Sequence, residues 1–317
     1  MTTSLVTATY SHAATANFQA WVNEIYTALV TTCGLTNTVD SGQMAVPCTS
    51  ALPGTNTSAG YYMFNFNDTL QATAPVFIKM EFGTGTSAAA PSILVTVGTG
   101  TNGAGTVTGT VLFRVQATTN STISNPGVTS YNSRYCYNAT QGFLGLVWKT
   151  GSTTSLGNIG MGAIFILRSN SVSGAPTADS VLLITNASSA TTGSTGSGGN
   201  AQIINYNIPT AYQGGSFPLT TQTSWCPSLP YGTQQSVVGT TGQVFPVWNY
   251  QGTATQVGFS ITNLLAICIL AEIPTGTTAS INIIGSSPLT YISTGNPLGT
   301  SLGNAGSTTF GLLMLWQ

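Results

Sequence analysis

The scarcity of charge is the feature that most constrains what this chain can fold into. Five basic and six acidic residues stand among 317, and the formal net charge is −1. Ordinary soluble domains carry about 25% charged residues. The surface of this protein must instead be hydrated through Thr, Ser, Asn, Gln and Gly. Such a surface suits a protein that neighbouring molecules largely cover, because little electrostatic repulsion opposes association. It does not suit a free cytosolic enzyme.

The basic side chains are too few and too scattered for binding to nucleic acid, which needs clustered Lys and Arg against the phosphates. They are Lys79, Arg114, Arg134, Lys149 and Arg168. We therefore expect no nucleic-acid partner.

We also expect no membrane partner. The most apolar run, Leu264–Leu270 (LLAICIL), is far shorter than the roughly 20 residues that span a bilayer. The first residues, MTTSLVTATYSH, lack the basic and apolar regions of a signal peptide. The five cysteines form no CxxC pair, so we predict buried free thiols, although the sequence leaves a Cys33–Cys48 disulfide open.

One segment, Asn17–Cys33, has the apolar period of an amphipathic helix. Its apolar side chains recur at spacings of three and four, and they are Phe18, Trp21, Val22, Ile25, Tyr26 and Leu29. Asn17 is the predicted N-cap and Gly34 the predicted C-cap. A face of this kind packs in a core or docks on a partner. The candidate interface residues are Phe18, Trp21, Val22, Ile25 and Leu29.

The chain after Asp40 has the pattern of many short strands, rich in β-branched and aromatic residues and bounded by Gly, Pro, Asn and Ser. The predicted strands include Tyr61–Phe66, Val76–Phe82, Ser92–Val97, Thr110–Ala117, Phe143–Lys149, Gly162–Arg168, Ser180–Asn186, Ala201–Tyr206, Val244–Trp248, Gly258–Thr262, Leu265–Glu272, Ser280–Ile284 and Thr309–Trp316. This pattern predicts an all-β fold, a β-sandwich or jelly-roll-like domain with one N-terminal amphipathic helix.

The predicted organisation is an N-terminal arm and docking helix over residues 1–40, followed by a β-sandwich domain over residues 41–317. The stretch Asn186–Asn200 (NASSATTGSTGSGGN) contains no apolar residue larger than Ala. We expect a long loop there, and a subdivision of the domain at residues 187–200 is the alternative. The Gly/Thr-rich stretch Gly98–Gly109 predicts a second loop, at one end of a sheet.

The residues available for catalysis are few. The single histidine, His12, lies before the helix and has no sequence support for a Ser-His-Asp or Cys-His arrangement. A pair of carboxylates for glycoside hydrolysis has five candidates, which are Asp40, Asp68, Glu81, Asp179 and Glu272. We instead expect Glu81 to pair with Lys79 on the same strand face, and Asp40 and Asp68 to stabilise turns. The sequence therefore predicts no enzyme.

Binding motifs are equally scarce. The Gly-rich stretch Gly98–Gly105 has no Lys-Ser/Thr after it and opens no helix, so it is not a phosphate loop. No His pair or Asp-rich loop predicts a metal site, and we expect no cofactor. Aromatic residues that could stack on sugar rings, or pack in a core or subunit interface, are Tyr131, Tyr135, Tyr137, Tyr212, Trp225 and Tyr231.

Three stretches together resemble a family of tailed-bacteriophage virion structural proteins. They are Phe18–Gln43 (FQAWVNEIYTALVTTCGLTNTVDSGQ), Thr73–Gly109 (TAPVFIKMEFGTGTSAAAPSILVTVGTGTNGAGTVTG) and Gly242–Gly252 (GQVFPVWNYQG). The matching features are an aromatic helix leading into turns, a lysine–glutamate strand with a Gly-Thr-Gly turn, and a Phe-Pro turn. These features are structural, so the resemblance carries over no catalytic residue.

The resemblance implies a virion component that is tail- or fibre-associated and acts through assembly with other virion proteins, after synthesis in the host cytoplasm. Alternatives are a capsid decoration or cement protein, and a glycan-binding receptor-binding adhesin that meets host surface polysaccharide through its loops. A homo-oligomer is expected, and a trimer is the analogy from phage fibres.

Overall fold

The computed structural model describes residues 2–10, 14–84, 91–112, 115–118, 129–150, 160–171, 173–185, 200–206, 216–218, 235–236, 243–253, 256–269, 273, 276–281, 288–294 and 310–316. In this part of the chain, one α-helix is accompanied by antiparallel strands in three sheets. The prediction of an all-β fold with a single N-terminal helix is confirmed. The finer jelly-roll-like order stays a prediction.

Helix α1 spans Thr15–Tyr26 and continues into a π-helical segment, Thr27–Thr32. A short 3₁₀ turn covers Ala139–Gln141. The first strands are β1 (Thr2–Tyr10), β2 (Thr36–Asn37), β3 (Ser58–Asn65), β4 (Phe77–Thr84), β5 (Pro91–Thr101), β6 (Val107–Val111), β7 (Val115–Thr118), β8 (Thr129–Asn138), β9 (Phe143–Thr150) and β10 (Gly160–Asn170). The others are β11 (Pro176–Thr185), β12 (Asn200–Asn205), β13 (Ser216–Pro218), β14 (Gln235–Ser236), β15 (Gln243–Thr253), β16 (Gln256–Ile269), β17 (Thr278–Ile281), β18 (Leu289–Ser293) and β19 (Phe310–Leu315).

The strands form three sheets. The first sheet has the order β2-β3-β4-β5-β6, and β7 also pairs with β5. The middle sheet has the order β1-β8-β9-β10-β11-β12-β13, and the last sheet has the order β14-β15-β16-β19-β18-β17. Most neighbours in a sheet are also consecutive in the chain, so most connections are hairpins.

The middle sheet contributes side chains to two cores, one on each face. Along β9, Leu144, Leu146 and Trp148 join the core shared with the first sheet, whereas Phe143 and Val147 join the core shared with the last sheet. Since successive side chains of a strand point to opposite faces, such a strand needs an almost continuous apolar run. This requirement explains why FLGLVW, AIFIL and VLLI stand among the most apolar stretches of the sequence.

Helix α1 fills the space between the first and middle sheets. Trp21 makes edge contacts with Phe82 of β4 and Trp148 of β9, at ring-centroid distances of 5.8 and 6.2 Å. The predicted N-cap is wrong: the helix begins after Ala14, whose carbonyl accepts from the N–H of Asn17 at 3.1 Å. Gly34 does adopt the left-handed conformation expected after a helix, with φ of +81°.

The predicted arm and docking helix over residues 1–40 include strand β1, which belongs to the middle sheet, and helix α1, which packs against that sheet. The division of the chain at residue 40 stays a prediction. Strand β1 pairs with β8 over its whole length, from Thr2 opposite Tyr137 to Tyr10 opposite Thr129. The hydroxyl of Tyr135 donates a short hydrogen bond to the Glu24 carboxylate on α1. The possible subdivision at residues 187–200 lies outside the described residues, apart from Asn200, which begins β12.

One close contact in the middle sheet depends on glycine. Gly162 of β10 is paired with Trp148 of β9, and a β-carbon at Gly162 would lie 1.9 Å from two atoms of the indole. Only glycine leaves the indole room to lie across the neighbouring strand. Trp148 is thereby fully enclosed in the core that contains α1.

Candidate functional site

The five predicted interface residues lie inside the chain's own core. Phe18, Trp21, Val22, Ile25 and Leu29 are each at most 1% exposed and pack with strands of the first and middle sheets. The sequence left core and interface open for this face, and the structure uses it as core. An interaction surface must therefore be sought elsewhere in the described residues.

The described carboxylates are spread over the fold. Glu81 lies 3.8 Å from Lys79, as expected from their strand spacing. Asp179 is on the surface at the start of β11. Within the described residues, no group of three or more His, Cys, Asp or Glu is placed to hold a metal ion. His12 and Glu272 lie outside the described residues.

Asp68 binds Arg168 rather than serving only a turn. The Arg168 side chain is fully buried, and its Nε and Nη2 donate to the two Asp68 carboxylate oxygens at 2.5 and 2.9 Å. Its Nη1 donates to the Ala74 carbonyl at 2.8 Å, and the guanidinium carbon lies 5.6 Å from the Phe66 ring centroid. This arrangement ties the connection between β3 and β4 to the middle sheet, so its role is structural.

A second carboxylate organises a loop at the surface. We call residues 38–43 the Asp40 loop. Asp40 is 6% exposed and accepts hydrogen bonds from the Thr38 hydroxyl at 2.7 Å, from the Gly105 amide at 3.1 Å and, in a short contact, from the Thr101 hydroxyl. The Gly105 and Thr101 bonds join the loop to the β5–β6 hairpin.

Further bonds hold the remaining backbone of the Asp40 loop. The Ser41 amide donates to the Gly103 carbonyl at 2.9 Å, and the Tyr61 hydroxyl donates to the Ser41 carbonyl at 2.5 Å. The side-chain amide nitrogen of Gln43, Nε2, donates to the backbone carbonyls of Thr38 and Asp40 at 2.8 and 3.1 Å. The side-chain oxygen of Gln43 accepts from the Met63 amide at 2.8 Å. A loop with so many fixed polar groups loses little conformational entropy on binding a partner.

The electrostatics of this loop follow from the same contacts. Burial raises the pKa of Asp40, but hydrogen bonds from Thr101, Thr38 and Gly105 stabilise the carboxylate and leave the pKa below its usual value. Burial, and then the nearby Asp40 charge, raise the pKa of the Tyr61 phenol. Asp40 therefore remains an anion that accepts hydrogen bonds, and not a proton donor, near neutral pH.

The Asp40 loop presents one apolar side chain to solvent. Val39 is 102% exposed, which is more than any other large apolar side chain in the described part of the chain. The next are Val46 at 55% and Val111, in β6, at 39%. Val39 could not be identified from the sequence, because a single valine beside a predicted turn gives no signal for exposure. The fixed loop and its outward valine form the candidate functional site.

Two other groups of predicted residues fall into the core. Tyr135 and Tyr137 are buried and cannot stack on a sugar ring, while Tyr212, Trp225 and Tyr231 lie outside the described residues, as does the side chain of Tyr131. Cys33, Cys48 and Cys136 are buried free thiols. Burial raises the pKa of the Cys33 thiol to about 11.

The comparisons identify no relative. No protein-family model matches the chain, and neither a curated protein nor a solved structure is significantly similar to it. No helix within the described residues is both long and apolar enough to cross a membrane. The function must therefore be argued from the geometry and chemistry of this chain.

Proposed function

We propose that this protein is a structural component of a bacteriophage virion, tail- or fibre-associated, that acts through assembly. The observation that carries the proposal is the burial of several of the few charged side chains. Asp40, Arg134, Arg168 and the Asp68 side chain are nearly or fully buried. Of the charged side chains that the structure describes, Asp179 alone is exposed rather than partly or fully buried, so the described surface presents few charges to solvent, which favours a protein that is covered by neighbours.

Within this proposal, the Asp40 loop is a contact to another virion protein or to a second copy of the chain. Val39 stands outward on a backbone that is already fixed by Asp40, Tyr61 and Gln43. Burying a valine side chain contributes about 1.5–3 kcal/mol. Every 1.4 kcal/mol is about tenfold in affinity, so losing this contact weakens association by roughly tenfold or more.

The location in the particle tests the proposal. Purified virions are labelled with an antibody to the protein and viewed by negative-stain electron microscopy. Label on the tail or its fibres supports the proposal, and label spread evenly over the capsid supports a decoration protein instead. Absence of the protein from finished particles would refute both. A glycan array on the purified protein separates the adhesin alternative, which requires binding to host polysaccharide.

The contribution of the Asp40 loop is tested by substituting its exposed valine. Val39→Ser should lower incorporation into particles, measured by quantitative mass spectrometry of purified virions, while leaving the unfolding temperature unchanged. Val111→Ser is the matched control, because Val111 is also a surface valine but lies outside the loop. Equal incorporation of both variants and the wild type would remove the Asp40 loop from the proposed interface.

A further inference from the structure

Arg134 occupies an unusual position for a cation. It lies in β8 of the middle sheet, opposite Leu5 of β1 and Val147 of β9. Val147 and Cys136, which share its face of the sheet, belong to the core between the middle and last sheets. Arg134 is only 5% exposed, so its guanidinium is largely desolvated.

The described residues do not neutralise this cation. The enclosed Nε has no hydrogen-bond partner, and no described carboxylate forms an ion pair with the guanidinium. Burial lowers the pKa of Arg134 without an opposing contribution from an acid. Arg168 is the contrast within the same sheet, since the Asp68 carboxylate and the Ala74 carbonyl accept from all three of its nitrogens. A buried charge without such partners is strongly destabilising.

The guanidinium is directed at a backbone turn that precedes β17. A β-carbon on Gly276 would lie 3.3 Å from Nη2 of Arg134, and Gly276 has a φ of +89°. The Gly276 amide donates to the Ser293 carbonyl at 2.8 Å, so the turn is fixed by β18. Because this residue is glycine, it places no side chain of its own over the guanidinium.

We propose that Arg134 anchors a binding site for a small oxyanion, a carboxylate or a phosphate, between the middle and last sheets beside Gly276. A guanidinium offers parallel N–H donors whose spacing matches the two oxygens of such a group. The anion supplies both the missing charge and the missing acceptors. It comes either from solution or from an acidic group of a neighbouring chain, and the chemistry of recognition is the same.

The purified full-length chain provides the first test. Unfolding temperature is measured at constant ionic strength while chloride is replaced by phosphate or by acetate. An anion that binds only the folded state raises the unfolding temperature as its concentration passes the dissociation constant. We expect a saturable rise for the wild type and none for Arg134→Met. Lys79→Met, which removes a cation from the surface of the first sheet, should retain the rise.

Arg134→Lys provides a second test of the site that does not depend on the folding of Arg134→Met. Lysine keeps the charge but not the paired donors, so the half-saturating anion concentration should increase several-fold. An equal rise in the unfolding temperature of the wild type and of either Arg134 variant would overturn the proposal, because the anion would then act elsewhere.

A second arm addresses an anion supplied by a neighbouring chain. In that case added acetate does not change the unfolding temperature of the wild type. The wild type instead self-associates, as measured by sedimentation, and phosphate weakens this association. Arg134→Met does not self-associate. Absence of both responses overturns the proposal. Coupling of Arg134→Met to Glu272→Gln in a double-mutant cycle of unfolding also overturns it, because Arg134 would then be neutralised within its own chain.

Discussion

Replacing Asp68 with Asn removes the charge from one half of a buried ion pair and leaves its volume almost unchanged. In the wild type, Arg168 donates two parallel hydrogen bonds to Asp68, and the side chains are 0% and 3% exposed. The substituted amide keeps one oxygen acceptor but turns two N–H groups toward a cation. Arg168 retains its bond to the Ala74 carbonyl and its position near the Phe66 ring.

The expected loss is large because water cannot replace the missing carboxylate. Breaking a buried pair by removing one partner costs about 3–5 kcal/mol. Each 1 kcal/mol corresponds to roughly 2–4 °C in unfolding temperature for domains of 150–250 residues. We therefore expect Asp68→Asn to unfold roughly 10 °C below the wild type. Removing both charges together, in Asp68→Leu with Arg168→Met, should recover most of the loss.

Thermal and urea unfolding followed by circular dichroism measure these differences. Asp179→Asn is the matched control, because it removes the same charge from an exposed position, where a lost ion pair costs at most about 1 kcal/mol. The reasoning is refuted if Asp68→Asn and Asp179→Asn have the same unfolding temperature and the same urea midpoint. It is also refuted if the double variant is less stable than Asp68→Asn, since the apolar pair should relieve the unpaired charge.

Three further predictions concern the core, the Asp40 loop and the thiols. Trp21→Ala should cost about 3–5 kcal/mol in unfolding free energy. Trp21→Phe should cost clearly less, because it keeps an aromatic ring and removes an indole N–H that has no acceptor among the described residues. Equal losses for the two variants would contradict this. Although burial opposes it, hydrogen bonding lowers the pKa of Asp40. The contribution of Asp40 to stability is therefore present above the unfolded pKa and is lost as the pH falls through the lower, folded pKa. Asp40→Asn should remove that part of the acid dependence of unfolding, and an unchanged acid profile would argue against it. Iodoacetamide at pH 8 should leave Cys33 unmodified in the folded protein, because burial raises the pKa of its thiol to about 11; mass spectrometry of its peptide checks this against the denatured protein.

Strands with strong apolar patterns were predictable from the sequence. In β4, the apolar Ile78, Met80 and Phe82 are buried and alternate with the partly exposed Lys79 and Glu81, as the alternation in the sequence indicates. Strands β9, β10 and β11 were recognisable because burial on both faces demands continuous apolar runs. Strands β1 and β8 were missed, since Thr, Ser and Asn dilute their pattern and their mutual pairing spans more than a hundred residues.

Local turn signals predicted loops less well where residues distant in the sequence form hydrogen bonds or pair with the segment. The predicted loop Gly98–Gly109 is largely a hairpin of β5 and β6, because Asp40, from another part of the chain, accepts hydrogen bonds from both sides of its tip. The predicted Phe-Pro turn lies inside β15, where the register with β16 shifts after Pro246. The Arg168–Asp68 pair joins positions 100 residues apart, which no local pattern could connect.

The pairing of β1 with β8 has a consequence for how the chain is made. Strand β1 leaves the ribosome well before β8 and can pair with it only after residues 129–138 have been synthesised. Until then the hydrogen-bonding edge of β1 stays without that partner. At about 5–20 residues per second, this delay lasts several seconds. Contacts between such distant positions also slow folding. The nascent chain thus carries an uncharged strand, β1, without its β8 partner during this interval, so chaperone depletion should promote aggregation at this stage.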